Sequence, residues 1–252
     1  MKKSRLMNVV FALVLTTGIG AGSLQAQAPP VGEKDWSISI DNTFVSKYIW
    51  RGQNLSNTAS WQPGVTFGYK GLSVSSWSNV AHTAFGDSDV LGNHWTEHDL
   101  TVDYGFSLGE KVAVNVGYIN YAFPNFTDGR YTNEIYGSVG FDTILAPTFA
   151  VYGDMHNGEG MYYNFGIGHS VALGKGAGLN LSAAVGLNQN QWIEINTVSD
   201  VVLGVSVDIP LGNVVTFSPF YNYITGNKSL RTCDGCFYYT GSIAGASLNF
   251  SY

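Results

Sequence analysis

From Trp36 to the C-terminus the dominant period of the sequence is two. Trp36, Ile38, Ile40, Phe44, Tyr48 and Trp50 share one parity, while Ser37, Ser39, Asp41, Thr43, Lys47 and Arg51 share the other. Successive side chains alternate in this way only along β-strands whose two faces meet different surroundings. The split recurs in eleven further segments: 61–69, 72–80, 100–106, 112–118, 135–141, 149–155, 163–173, 179–187, 201–211, 215–223 and 238–252. Across all twelve the apolar parity holds no Lys, Arg, Asp or Glu, and apart from tyrosine only His98 and His169 on it are titratable. A soluble sheet tolerates outward charges freely, whereas Arg or Lys facing lipid near the bilayer midplane costs about 2–4 kcal/mol. The pattern predicts an all-β fold, a transmembrane antiparallel β-barrel of about 12 strands.

The connections alternate in length. Lys70-Gly71, Gly109-Glu110, Ile144 to Pro147, Gly174 to Gly178 and Gly212-Asn213 are short, and Gly52–Ala59, Ala81–Trp95, Ala122–Tyr131, His156–Gly160, Asn188–Thr197 and Gly226–Phe237 are mostly longer. Short periplasmic turns opposite longer external loops, with both chain ends inside, is the bacterial outer-membrane arrangement. Leu248, Phe250 and Tyr252 alternate up to a terminal aromatic, the form in which such barrels present a C-terminal signal to their assembly machinery.

Ahead of the strands, Lys2, Lys3 and Arg5 precede an apolar run centred on Val9–Leu15 and a small-residue stretch ending Gln25-Ala26-Gln27-Ala28. That is the layout of a secretory signal peptide, too short in its apolar part to span a bilayer. The expected division is a signal of 1–26 (cleavage at 28 being the alternative), a short periplasmic segment 27–35, and a barrel 36–252. Loss of Lys2, Lys3 and Arg5 takes the formal charge from -6 to about -9. An acidic exported chain without a basic, aromatic-interleaved patch is a poor nucleic-acid binder. Its charged fraction of 12% is about half that of an ordinary soluble domain.

The other parity is small or polar, as in Gln62, Gly64, Thr66 and Gly68, or Asn164, Gly166, Gly168 and Ser170. With about 8 strands side chains fill a barrel and with about 16 they leave a channel, so at twelve the size of the inward residues decides. The glycines argue for space. Inward carboxylates at Asp41, Asp99, Asp103, Glu134, Asp142, Asp154 and Asp208 outnumber inward cations at Lys47, Arg51 and Lys70. This predicts a cation-leaning lumen, with Asp41, Lys47, Arg51, Asp99, Asp103, Glu134 and Asp154 as constriction candidates; a salt-bridge network closing the lumen is the alternative.

No constellation points to catalysis, a metal or a cofactor. His94-Trp95-Thr96-Glu97-His98 has the H-x-x-E-H spacing of one zinc peptidase class, but that motif needs a helix, and in a strand the two histidines stand about 13 Å apart. His169 lies on the lipid parity, where outer-membrane lipases carry their histidine, without a convincing serine or acidic partner on neighbouring outward sets. Gly174-Lys175-Gly176-Ala177-Gly178 lacks phosphate-loop spacing. Cys233 and Cys236 fall in the last external loop of an exported chain and are read as a disulfide rather than as functional thiols.

Thr43-Phe44-Val45-Ser46-Lys47-Tyr48-Ile49-Trp50-Arg51-Gly52-Gln53, followed by Gln62-Pro63-Gly64-Val65 and Gly71-Leu72-Ser73-Val74, resembles the TorF-type porins, in which a strand runs into an aromatic-Arg-Gly corner near the mature N-terminus. Glu97-His98-Asp99-Leu100 and Tyr131-Thr132-Asn133-Glu134-Ile135-Tyr136 look like later pieces of that pattern. The resemblance implies an outer-membrane barrel acting as a porin and supplies no substrate. Passive diffusion of small polar solutes or ions is therefore the expected function, ahead of a closed scaffold or surface-binding barrel and of a membrane enzyme. Lipid, the assembly machinery and the solute itself are the expected partners, and no signature of oligomerisation is visible.

Overall fold

The computed structural model describes residues 35–84, 87–124, 130–227 and 238–252. The signal segment and the Cys233/Cys236 loop lie outside the described residues. Among the described residues fourteen strands form: β1 (Trp36–Val45), β2 (Tyr48–Trp50), β3 (Gln53–Ser56), β4 (Ser60–Tyr69), β5 (Leu72–Ala84), β6 (Asp87–Leu108), β7 (Val112–Ala122), β8 (Tyr131–Phe141), β9 (Thr148–Asp154), β10 (Met161–Gly174), β11 (Ala177–Gln189), β12 (Asn196–Pro210), β13 (Val215–Gly226) and β14 (Thr240–Ser251). Twelve of them close an antiparallel barrel in the order β1-β14-β13-β12-β11-β10-β9-β8-β7-β6-β5-β4, while β2 and β3 pair only with each other. Each predicted segment coincides with one wall strand.

Closure is made by β14 against β1, in register from Ser39 opposite Ser251 to Val45 opposite Gly245. Ile38 and Tyr252 then exchange backbone hydrogen bonds at 2.9 Å in both directions, so the barrel sheet closes on itself without an edge strand among the described residues. Leu248 and Phe250 lie on this closing strand, and the Tyr252 ring meets Trp36 at 5.6 Å.

The apolar parity faces out, as its side chains' exposure shows: Phe67 50%, Val102 39%, Val116 48%, Phe165 51% and Leu203 53%. Short turns close one end, among them the two-residue turn of Lys70 (φ 47°) and Gly71 (φ 87°), both left-handed, the backbone that matches the twist of paired strands. Lys70 is no lumen charge. It is exposed beside Asp35 at 3.2 Å, and hydrogen bonding to that carboxylate holds its ammonium above the usual lysine range.

Three expectations are corrected. The expected loop Ala81–Trp95 is largely strand, since β5 runs to Ala84 and β6 starts at Asp87. Tyr48, Trp50 and Tyr238, placed on the lipid parity, are buried at 1%, 7% and 6% exposure, because the wall strand β1 ends at Val45 and the alternation does not carry past it. Nor is the interior only small and polar. Tyr48, Ile49, Trp50, Ile119, Tyr121, Tyr136, Tyr152, Tyr162, Val202, Phe220, Ile224 and Ile243 belong to a buried cluster inside the wall.

Candidate functional site: a latched hairpin in the lumen

Why β1 stops is legible locally. Tyr48-Ile49-Trp50 puts three large side chains in a row and all three are buried, whereas a wall strand sends alternate side chains to the lipid. The chain leaves the wall, and β2 and β3 form a hairpin around Arg51 (φ 48°) and Gly52 (φ 81°), with Trp50 opposite Gln53. Glycine is required at 52 on two counts. Its φ is left-handed, and a Cβ there would stand 2.9 Å from the Asp200 Cβ and 3.0 Å from the Tyr238 ring. Tyr238 bridges to Gln53, and the Tyr239 N–H donates to the Gly52 carbonyl at 2.8 Å, so the chain entering β14 fixes the hairpin from its other side.

The hairpin turn carries Arg51 across the lumen to β8, five strands round the barrel from β1. There its Nη1 and Nη2 donate to the two carboxylate oxygens of Glu134 at 2.7 and 2.8 Å, and Nη1 also donates to Gln191 Oε1 at 2.6 Å. Glu134 is held independently, accepting from Tyr121 OH at 2.9 Å and from Gln191 Nε2 at 2.6 Å. The guanidinium lies over the rings of Tyr152, Trp50 and Tyr162 at 4.3, 4.4 and 4.5 Å. Arg51 and Glu134 are 3% and 0% exposed. A bidentate pair removed from water is the strong form of this interaction, and it specifies geometry as much as it stabilises.

Tyr136, Tyr152 and Tyr162 stand opposite one another across β8, β9 and β10, with ring centroids 5.5 and 6.1 Å apart. Glycines on neighbouring strands make room for them. A Cβ at Gly117 would lie 2.6 Å from the Tyr136 ring, and one at Gly186 would strike Tyr162 and Asp200. At Gly117 and Gly186, therefore, inward glycines supply space that tyrosines occupy, against the expectation that they leave it open.

Around the hairpin sit more carboxylates. Glu97 accepts from Tyr48 OH at 2.7 Å, Asp200 accepts from Ser199 Oγ at 2.6 Å, and Asp99 is buried with one oxygen unpartnered. Among the described residues Arg51 is the only buried basic side chain, and no group of three or more His, Cys, Asp or Glu is placed to hold a metal.

The constriction candidates separate. Arg51, Glu134 and Asp99 share the buried level. Asp41 and Asp103 lie nearer the tight-turn end and are only half-buried, and so is Asp208. Asp41 accepts from Asn249, and Asp103 from Asn115 at 2.7 Å and Tyr136 OH at 2.5 Å. Asp154 staples a loop, accepting from Thr132 Oγ1 at 2.7 Å and from the backbone N–H of His156 and Gly158 at 2.9 and 3.1 Å. Lys47 stays near the loop end, donating to the Asn57 carbonyl at 3.0 Å. Asp142 is exposed in the turn after β8. Gln191 and Tyr121 went unnoticed in the sequence, and Tyr238 was read as lipid-facing; a tandem polar-aromatic Gln191-Trp192 in an outer loop was the one available signal for the first.

On the outer wall, Ser78 Oγ and His98 Nδ1 are 2.7 Å apart and His169 Nδ1 lies 2.8 Å from the Ile144 carbonyl. Ser78 is only 5% exposed.

No family model matches the chain, and no curated protein matches it by sequence. Its fold matches outer-membrane barrels of porin type. The NanC porin aligns with TM-score 0.56 at 11% identity, over 84% of this chain and 98% of that one. A KdgM porin in complex with disordered oligogalacturonate aligns with TM-score 0.54 at 8% identity, over 86% and 99%. An outer membrane channel from Pseudomonas putida F1 aligns with TM-score 0.52 at 9% identity, over 86% and 94%. At such identities the likeness concerns the fold.

Proposed function

We propose that this protein is a bacterial outer-membrane, porin-like channel for small polar solutes or ions, with the β2–β3 hairpin as its constriction. The observation that carries this reading is the division of the lumen into two levels. At one, hairpin and wall pack tightly around Arg51. Below it, toward the tight turns, Asp41 and Asp103 line a polar, half-exposed level with Ser39, Thr66, Ser73, Ser75 and Asn249. A barrel built only as a scaffold gains nothing from half-exposed carboxylates at this level, whose further desolvation would cost stability if it were filled. Tight turns face the periplasm and loops face outward in this reading, after export directed by residues 1–26, with 27–35 as a short periplasmic segment and with Leu248, Phe250 and Tyr252 read by the assembly machinery.

The solute is cation-leaning. Glu97, Asp99, Glu134 and Asp200 face one buried arginine, and rings of carboxylates favour cations through their field. A polyanion such as the oligogalacturonate of the KdgM complex would meet unpaired carboxylates here. Membership of the TorF-type porins is part of the same proposal; its supporting stretch, Thr43–Gln53, is the end of β1 together with the hairpin turn.

The competing reading is a closed barrel, favoured by the near-complete burial of Tyr48, Ile49 and Arg51. Conductance of the purified barrel in planar bilayers separates the two. Discrete steps with cation-sided reversal potentials under a salt gradient are expected; a silent bilayer from heat-modifiable, correctly folded protein refutes the channel, and anion preference refutes its selectivity.

A further inference from the structure

The surroundings of Arg51 are built by the wall and by Gln191 of the β11–β12 loop, and need nothing from the hairpin but Trp50. Glu134 on β8 keeps two donors of its own, Tyr121 OH at 2.9 Å and Gln191 Nε2 at 2.6 Å, so its carboxyl group stays oriented whether or not Arg51 is present. Tyr152 and Tyr162 offer their ring faces from β9 and β10. All recorded contacts go to the far end of the side chain: Nη1 and Nη2 bind, the guanidinium plane stacks, and Nε is buried with no hydrogen-bond partner. A planar cation with a two-nitrogen edge meets the whole of this recognition without a side-chain stem. A spherical ammonium would meet the charge and the rings but lose the bidentate edge.

We propose that this cradle of Glu134, Tyr121, Gln191, Tyr152 and Tyr162 is an internal binding site for guanidinium-class cations, which the hairpin fills with its own arginine. Arg51 is then a tethered occupant, and solutes bearing a free guanidinium compete with it for the same carboxylate edge. The inference rests on the channel reading for its role in transport, but the site itself is testable without current.

The test uses the full barrel carrying Arg51→Ala, folded in detergent, with dilute guanidinium as probe and tetramethylammonium as the equal-charge control. Tryptophan fluorescence reads binding through Trp50, and bilayer current reads block. Guanidinium is expected to produce a saturable fluorescence change and a saturable block, with half-effect at a concentration at least about tenfold below that of tetramethylammonium. Adding Glu134→Gln should raise that concentration at least about tenfold. Equal response to both cations, or indifference to Glu134→Gln, overturns the proposal. Arg51→Ser, with the same readouts, replaces the alanine variant should the latter not reach the heat-modifiable state. A Glu134-dependent fluorescence signal in a barrel that carries no current supports the site while refuting the channel.

Discussion

Replacing Glu134 by alanine should do more damage than replacing Glu134 and Arg51 together. The carboxylate accepts four hydrogen bonds in the barrel interior: two from Arg51 at 2.7 and 2.8 Å, one from Gln191 at 2.6 Å and one from Tyr121 at 2.9 Å. Its removal leaves a 3%-exposed guanidinium with only the Gln191 carbonyl oxygen and three ring faces. Breaking one side of a buried pair costs about 3–5 kcal/mol, mostly the desolvation of the charge left behind. At 1.4 kcal/mol per factor of ten, that shifts the ratio of seated to withdrawn hairpin by about two to three and a half powers of ten. The guanidinium can escape the penalty by leaving with the hairpin, so Glu134→Ala should lower the urea midpoint of the folded barrel and raise its open probability in bilayers. In Arg51→Ala/Glu134→Ala no charge is stranded, and the double-mutant cycle should return a coupling of about 0.5–3 kcal/mol. Urea unfolding from liposomes measures the first quantity and single-channel recording the second. Additive single effects, or a Glu134→Ala barrel with wild-type midpoint and wild-type current, would refute the latch.

Three further outcomes are expected. Val102→Lys, on the lipid face, should destabilise the barrel in liposomes by about 2–4 kcal/mol, while Thr101→Lys on the lumen side should fold normally and move selectivity toward anions; equal penalties would mean the two faces are misassigned. Gly117→Val sends its side chain into the Tyr136 ring, 2.6 Å from an added Cβ, and should cost about 1–3 kcal/mol in urea midpoint. Gly137→Ala, whose added Cβ comes no nearer than 3.9 Å to any atom, should stay within about 0.5 kcal/mol of wild type. Asp41→Asn with Asp103→Asn keeps the hydrogen-bonding shape of the half-exposed level but removes its charge, and should bring the reversal potential under a salt gradient toward zero; an unchanged potential would place selectivity at the hairpin level instead.

Alternation and excluded charge were sufficient to place all twelve wall strands, because the lipid-facing half of each strand answers to one uniform solvent and every residue on it reports the same constraint. Ile135, Val139 and Phe141 needed no knowledge of their neighbours to be assigned outward. The inward face has no such uniform solvent. What Gly117 faces depends on Tyr136 one strand away, and what Glu134 faces depends on Arg51, which is 83 residues distant in the chain. Read alone, the glycines suggested space, and the carboxylates a cation-leaning lining or, alternatively, a salt-bridge network closing the lumen. In the barrel Gly117 and Gly186 admit tyrosines, and Glu134 ligates the hairpin.

The hairpin itself left traces that could have been weighed: the break of alternation at Tyr48-Ile49-Trp50 and a two-residue Arg51-Gly52 turn. Those traces show that the chain leaves the wall, but not to which side it goes. Sequence by itself determined the barrel, its strand count and its lipid face, since these follow from local periodicity against a bilayer. Only the tertiary structure decided that the first loop turns inward and that its arginine meets Glu134, because those contacts join residues that come together only once the sheet has closed.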